Sequence, residues 1–273
     1  MNDDLEALEI ELLTTGLYRR YGVDFRKYAY ASLRRRLWNS VNAEGTGTIL
    51  GLLDRALRDL QVMERLLLQL SVNVTSMFRD PTFYLSFRQN VVPLLRAHPF
   101  VRIWHAGCST GEEVYSMAVL LEEEGLYDRA RLYATDMNES VLAQARKGIF
   151  PMASMAEYAR NHAASGGKGA LADHYTEGYD FALFRQSLRR NLIFAHHNLV
   201  TDGSFNEFNV VVCRNVMIYF DRTLQNHVHR LFYASLRRFG ILALGRKESL
   251  RGTAHEADYA ELDRIEKIFR RTG

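Results

Sequence analysis

The chain has 273 residues, 47% of them hydrophobic, so it can bury a sizeable core and does not have a disordered composition. Its 35 basic and 32 acidic residues leave a net charge of +3, too slight to argue for nucleic acid and equally suited to an acidic protein partner. Cys108 and Cys213 lie far apart and outside any CxxC, which excludes a disulfide framework and a cysteine zinc site and suits two small buried hydrophobes.

The N-terminus, MNDDLEALEIE, is acidic and lacks an apolar h-region, so it reads as the start of a helix and not as a signal peptide. No run of about 18 apolar residues occurs, so no membrane insertion is expected, and the chain is expected to be a cytoplasmic monomer. All four prolines (Pro81, Pro93, Pro99, Pro151) fall between 81 and 151, leaving residues 1–79 without one. Leu5, Leu8, Ile10, Leu12, Leu13 and Leu17 recur at helical spacing. Further helices are expected at 26–41, with Tyr28, Leu33 and Leu37 on one face, at 47–59 and at 61–72. Residues 1–79 thus read as an all-helical N-terminal domain, and 80–98 as a linker helix.

From 99 to 273 the pattern changes. VRIWHA (101–106) is a strand, followed by a glycine-containing loop and an amphipathic helix at about 112–125. RLYAT (131–135), NLIFAH (191–196), FNVVVC (208–213) and GILALG (240–245) are further strands, with helical stretches between them. Such alternation implies an α/β fold, a Rossmann-like parallel sheet with helices on both faces. Residues 151–190 break the rhythm with Ser165-Gly166-Gly167-Lys168-Gly169 and then Tyr175, Tyr179, Phe181 and Phe184. They read as a small inserted β-subdomain, possessing a hairpin.

The loop Ala106-Gly107-Cys108-Ser109-Thr110-Gly111 joins a strand end to a helix start, the general nucleotide-binding arrangement. It is neither GxGxxG nor a P-loop, since no Gly-Lys-Ser/Thr follows. Glu112 and Glu113 at the helix start would repel a pyrophosphate but favour a sulfonium, which points to S-adenosylmethionine. Asp136 ends the next strand and can accept both ribose hydroxyls. Other readings stand beside these. Ser109 with Glu112, or Thr110 with Glu113, fits a capping box, and Asp136 could cap the following helix.

Five segments in order resemble the CheR-type chemotaxis receptor (protein-glutamate) O-methyltransferases. They are Asn73-Val74-Thr75-Ser76-Met77-Phe78-Arg79-Asp80; AGCSTGEEVYS from Ala106; Ala134-Thr135-Asp136-Met137-Asn138, with Ala145 to Phe150 after it; His197-Asn198-Leu199; and CRNVMIYFD from Cys213. The resemblance runs from about residue 10 to 270. It implies an N-terminal helical domain, a Rossmann-like S-adenosylmethionine-dependent domain and an inserted β-subdomain. The implied activity is methyl transfer to glutamate side chains on the cytoplasmic helices of chemoreceptors, giving methyl esters and S-adenosylhomocysteine. Asn73, Thr75, Arg79, Ala106, Gly107, Glu113, Asp136, Met137, Asn198, Leu199, Cys213, Arg214 and Asn215 would line the cofactor site. Arg79 and Tyr219 would face the reacting groups. Ser71-Val72, Met77 and Gly245-Arg246-Lys247-Glu248-Ser249 depart from the family pattern, which bears on substrate fit more than on the cofactor.

The chemistry needs no general base, because a glutamate carboxylate is ionised at neutral pH. An arginine fork and a tyrosine hydroxyl would align it. For Arg79 the structural alternative is a salt bridge to Asp80, and for Tyr219 a core tyrosine. The cluster Arg19, Arg20, Arg26, Lys27, Arg34, Arg35 and Arg36 offers a docking surface for acidic receptor helices, or else a solvated helix face. Two rival functions remain. A nucleic-acid methyltransferase would share the cofactor loop, but the chain lacks the N/D-P-P-Y/F motif and any Pro-Pro pair. A signalling module could bind S-adenosylmethionine without turnover. No metal is expected, because His196-His197 and His227-x-His229 lack ligands at the right spacing.

Overall fold

A computed structural model describes residues 3–71 and 75–273. The chain divides into two compact units, each described by itself.

The first unit takes residues 3–71 and Ile218–His227. Its helices are α1 (Asp3–Tyr21), α2 (Tyr30–Glu44), α3 (Ile49–Arg58) and α4 (Leu60–Leu70). Local chemistry sets their ends. Gly45 closes α2 at φ +64°, where only glycine is unstrained. The Thr48 and Asp59 side chains accept the backbone N–H groups of Gly51 and Gln61 and so start α3 and α4. Ile10, Leu13, Leu17, Leu33, Leu37 and Val41 form the core. Leu5, Leu8 and Leu12, expected on the same apolar face, point outward. Glu6 is buried because the Arg34 guanidinium and the Trp38 indole N–H both bond its carboxylate.

A segment distant in sequence completes this unit. Ala29 N–H donates to Tyr219 O (2.8 Å), Asp221 N–H donates to Lys27 O (2.8 Å), and the Tyr28 and Phe220 rings meet edge-on. Arg36 is buried, its guanidinium 4.3 Å from the Tyr219 ring, and it donates to Leu70 O at the end of α4. The expected docking cluster is therefore smaller than the sequence offers. Arg36 is an interior residue, and Arg26 and Arg34 are tied to Asp24 and Glu6.

The second unit takes residues 75–217 and Val228–Gly273. Residues 80–98, expected as a linker helix, belong to it as α5 (Pro81–Ser86), a π-turn (Phe87–Val91) and α6 (Val92–Arg96). Pro93 has no N–H to continue an α-helical ladder, and the wider turn before it accommodates the proline ring. The remaining elements are β1 (Val101–Ala106), α7 (Glu112–Glu123), β2 (Ala130–Asp136), α8 (Glu139–Lys147), β3 (Ile149–Pro151), α9 (Met152–Ala164), β4 (Tyr175–Glu177), β5 (Phe181–Phe184), α10 (Gln186–Arg189), β6 (Leu192–His196), β7 (Phe208–Cys213), α11 (Arg222–Ser235, shared with the first unit), β8 (Leu236–Leu244), β9 (Tyr259–Asp263) and β10 (Ile268–Arg271).

Seven strands make one sheet in the order β6-β2-β1-β7-β8-β10-β9, parallel except at β10. This is the Rossmann-like α/β sheet the alternation predicts, with an unforeseen C-terminal hairpin. β1 and β7 are almost wholly buried, as strands covered on both faces must be. Trp104 packs against Phe205, Phe208 and Phe232, and its indole N–H donates to Thr135 Oγ1 at 2.9 Å. Burying the Phe208 and Phe232 rings contributes about 1.5–3 kcal/mol each. The insertion carries a separate three-stranded sheet, β3-β5-β4, as the aromatic run suggested, and also the helix α9, which was not expected.

Candidate functional site

The sheet's carboxyl edge positions the site. After β1 the chain turns sharply. Gly107 (φ +82°) and Cys108 both donate their N–H groups to Thr135 O, at 2.8 and 2.9 Å. A Cβ on Gly107 would stand 2.5 Å from Val216 Cγ2 at a left-handed φ, so any side chain there is strained and displaces Val216. Gly111 (φ +99°) stands at the N-cap of α7 and offers no side-chain cap. The Thr110 hydroxyl donates to Glu112 Oε2 at 2.7 Å, within the loop itself.

Asp136, at the end of β2, is buried. Its Oδ2 accepts Ser109 N–H (2.9 Å) and its Oδ1 accepts Asn138 N–H (3.0 Å). Burial pushes its carboxyl above the ordinary range, partly opposed by those N–H groups. The helix cap is a different residue, since Asn138 Oδ1 accepts Ser140 N–H at the start of α8. Asp136 thereby holds the β1–α7 loop against the end of β2. Met137 follows, half-buried. Across the edge from β2, the chain leaves β6 through His197, whose N–H donates to Asp136 O, into the buried pair Asn198 and Leu199. Asn198 Oδ1 accepts Val200 N–H, which fixes that turn.

A buried charge cluster lies between β1 and β7. Glu113 Oε1 is 2.9 Å from His105 Nδ1, and its Oε2 is 3.5 Å from Arg214 Nη1. Burial pushes the Glu113 carboxyl up, but His105 and Arg214 outweigh it and leave it below the usual range. Arg214 follows the buried Cys213, whose thiol is pushed well above its ordinary value by burial. The guanidinium of Arg214 pairs with Asp80 Oδ2 (2.7 Å), donates to Arg79 O (3.4 Å) and lies 4.0 Å from the Phe83 ring centre. Its Nε is buried without a hydrogen-bond partner among the described residues, as is Asn138 Nδ2.

The segment 75–80 borders this cluster under strain. Phe78 and Asp80 both have positive φ, at +50° and +57°. Phe78 N–H donates to Ser116 Oγ on α7, and Asn161 Nδ2 on α9 donates to Met77 O. Thr75, Ser76, Arg79, Asp80, Glu157 and Asn161 line a cavity of about 320 Å³ there. Asn73 lies outside the described residues. Tyr219 belongs to the helical unit, against Arg36.

One organising residue escaped the sequence reading. Glu248, noticed only as part of a departure from the family pattern, is buried, and its carboxylate accepts four backbone N–H groups. These are Gly245 (2.6 Å), Asn215 (3.2 Å), Val216 (2.9 Å) and Met217 (2.8 Å). It thereby holds Asn215 at φ +62° and shapes the loop that carries Arg214. Among the described residues, no group of three or more His, Cys, Asp and Glu could hold a metal ion, and no helix is long and apolar enough to cross a membrane.

Comparison with known proteins gives this geometry a family. Residues 73–265 match the CheR methyltransferase SAM binding domain, and residues 8–71 match the CheR methyltransferase all-alpha domain. A Pseudomonas putida protein named "Putative methyltransferase Cher3" is 44% identical over 265 residues, covering 97% of each chain. The chemotaxis protein methyltransferase of Listeria monocytogenes is 28% identical over 261 residues (95% of each chain), and that of Escherichia coli 30% over 246 residues (85% of this chain, 81% of that one). The chain is an S-adenosylmethionine-dependent methyltransferase and belongs to the CheR family.

Proposed function

We propose that the protein methylates glutamate side chains of chemoreceptors, producing methyl esters and S-adenosylhomocysteine. The observation that carries this reading is the arginine pair at the sheet edge. Arg79 lines an open cavity, and the buried guanidinium of Arg214 lies beside it, donating to Arg79 O. Cationic donors at that position suit an anionic acceptor better than a neutral amine. The relatives' names favour a chemotaxis substrate over nucleic acid, and favour turnover over binding alone.

The residues present fit the cofactor. Gly107 lets the backbone come close, Glu113 offers negative charge to a sulfonium, and Asn138 Nδ2 and Arg214 Nε are buried donors without a protein partner. When bound, S-adenosylmethionine supplies a methyl that the acceptor carboxylate takes by in-line displacement, the carbon–oxygen bond forming as the carbon–sulfur bond breaks and the sulfur keeping the electron pair. Arg79 orients the acceptor carboxylate through its planar fork, and no residue has to remove a proton. Arg214, held by Asp80 and Glu113, supplies fixed positive charge without neutralising the nucleophile. Asp136, Met137, Asn198 and Leu199 hold the nucleoside end, and Thr75, Ala106, Cys213 and Asn215 complete the wall. Asn73 and Tyr219 take their places from the family resemblance alone. The exposed Arg19, Arg20, Lys27 and Arg35 steer acidic receptor helices toward a cytoplasmic monomer.

The test is transfer of labelled methyl from S-adenosylmethionine to receptor cytoplasmic fragments, with tRNA as the competing acceptor. Base-labile label released as methanol is expected from the receptor fragments. Label in tRNA, or binding of the cofactor with no transfer to any receptor, would overturn the proposal.

A further inference from the structure

The sheet's carboxyl edge carries a second basin, away from the cofactor-side residues. β8 runs parallel to β7 and β1, β10 runs antiparallel to β8, and β9 antiparallel to β10. The turn 264–267 between β9 and β10 therefore returns to the edge where β1, β7 and β8 end. There the segment 246–251 after β8 and this turn enclose a cavity of about 590 Å³.

Five cations line it (Arg246, Lys247, Arg251, Arg264 and Lys267), against Glu248, Glu256 and Glu261. Part of this charge is already engaged. Arg246 pairs with Glu266, the Glu248 carboxylate is filled by its four backbone N–H groups, and Glu256 Oε2 accepts Gly252 N–H at 2.7 Å. Lys247, Arg264 and Lys267 form no ion pair among the described residues. The Tyr259 hydroxyl, on a side chain only 9% exposed, is buried without a hydrogen-bond partner. Five cations against three carboxylates leave the lining net positive, and a bound anion relieves the repulsion among the cations. Glu256 and Glu261 on the wall favour a singly charged carboxylate over a phosphate dianion.

We propose that this basin binds acidic side chains of the acceptor protein that flank the glutamate to be methylated. The proposal rests on the functional reading given above. An acidic helix presents several carboxylates on one face, and the basin opens on the same sheet edge as the loop that carries Arg214. The wall is shared with the reaction loop. Glu248 lines the basin and also holds Asn215, Val216 and Met217, the residues that follow Arg214. Gly245, at the end of β8, already approaches Asn215 so closely that a Cβ there would stand 2.8 Å from its N. A carboxylate seated in the basin therefore lies against the support of the loop that carries Arg214.

The experiment measures binding directly, by fluorescence anisotropy, with the full chain and a labelled receptor helix peptide that keeps its flanking glutamates. The Lys247→Ala/Arg264→Ala/Lys267→Ala triple variant is expected to bind it about tenfold more weakly at low salt, with the gap closing as salt rises. Its affinity for S-adenosylmethionine, by calorimetry, is expected to be unchanged. A second peptide with the flanking glutamates replaced by glutamine is expected to bind both proteins alike. Equal binding of the first peptide to both proteins, no binding to the parent, or displacement by micromolar inorganic phosphate would each overturn the proposal. A peptide that binds through the basin yet accepts no methyl sinks the functional reading and leaves the basin. A peptide methylated with unchanged KM in the triple variant sinks the basin alone.

Discussion

Arg79, Gly107 and Glu248 show three different ways a single side chain governs this site. On the proposed function, Arg79, which lines an open cavity, acts by charge. Its replacement by alanine is expected to lower kcat/KM for methyl transfer by about 100-fold or more while the melting temperature holds; near-normal turnover would remove Arg79 from the reaction. Gly107 acts by absence. Gly107→Ala adds a Cβ at φ +82° and 2.5 Å from Val216 Cγ2. The expected loss is about 1–3 kcal/mol of stability together with weakened cofactor binding in calorimetry. Adding Val216→Ala should recover the part caused by the clash and leave the part caused by the dihedral angle. Glu248 acts by collecting donors. Glu248→Gln turns one acceptor oxygen into a donor that faces backbone N–H groups, so about 2–3 kcal/mol should be lost in urea unfolding. Unchanged unfolding would show that the four N–H groups find other partners.

At the scale of elements, the insertion is fastened to the end of α7 by a knot of buried charge. Arg88 bonds Glu123 and Glu124, His162 Nε2 lies 2.7 Å from Glu123 Oε1, His174 Nδ1 lies 3.0 Å from Glu122 Oε2, and Lys168 Nζ lies 2.9 Å from Glu124. Burial pushes the Glu123 carboxyl up, but the two histidines and Arg88 reverse this and hold it far below the usual range. A carboxylate with a depressed folded value contributes stability that is fully present above its unfolded value, near 4.5, and is lost as pH falls toward the folded value. The melting-temperature advantage of the parent over Glu123→Gln is therefore expected at pH 7 and should narrow steadily below about pH 4.5. A gap that stays constant with pH would detach Glu123 from this role. None of the knot is legible in the sequence, because its partners come from five separate segments. The strands β1 and β7 are legible to the residue, since continuous apolar runs bounded by turn residues leave little choice. β9 and β10 are not, since YAELD and IFRR are short and charged and become strands only by pairing with β8. α9 was hidden by its place between a proline and a glycine run, though its alanines favour a helix. In the candidate site, the glycine loop and Asp136 could be named from motif chemistry, and Arg214 from the family resemblance. The inward turn of Arg36 and the four-donor grip of Glu248 could not, because both depend on contacts far along the chain.

On the scale of the whole molecule, the helical unit is built from two stretches of chain, 3–71 and Ile218–His227. The second stretch docks through the Ala29–Tyr219 and Lys27–Asp221 backbone bonds and the Tyr28–Phe220 ring contact. A chain beginning at residue 75 keeps the sheet and its core but strips these partners from Tyr219 and Phe220. Limited proteolysis of that fragment is expected to cut first within 218–227, whereas the parent resists there. Equal protection in both would mean that the segment holds its shape unaided. A consequence follows for building chimaeras between relatives. Exchanging only the N-terminal helices would set one protein's α2 against another's return segment and mismatch Arg36 with Tyr219. A functional hybrid must carry both stretches from the same parent, so recombination breakpoints need to come as a matched pair.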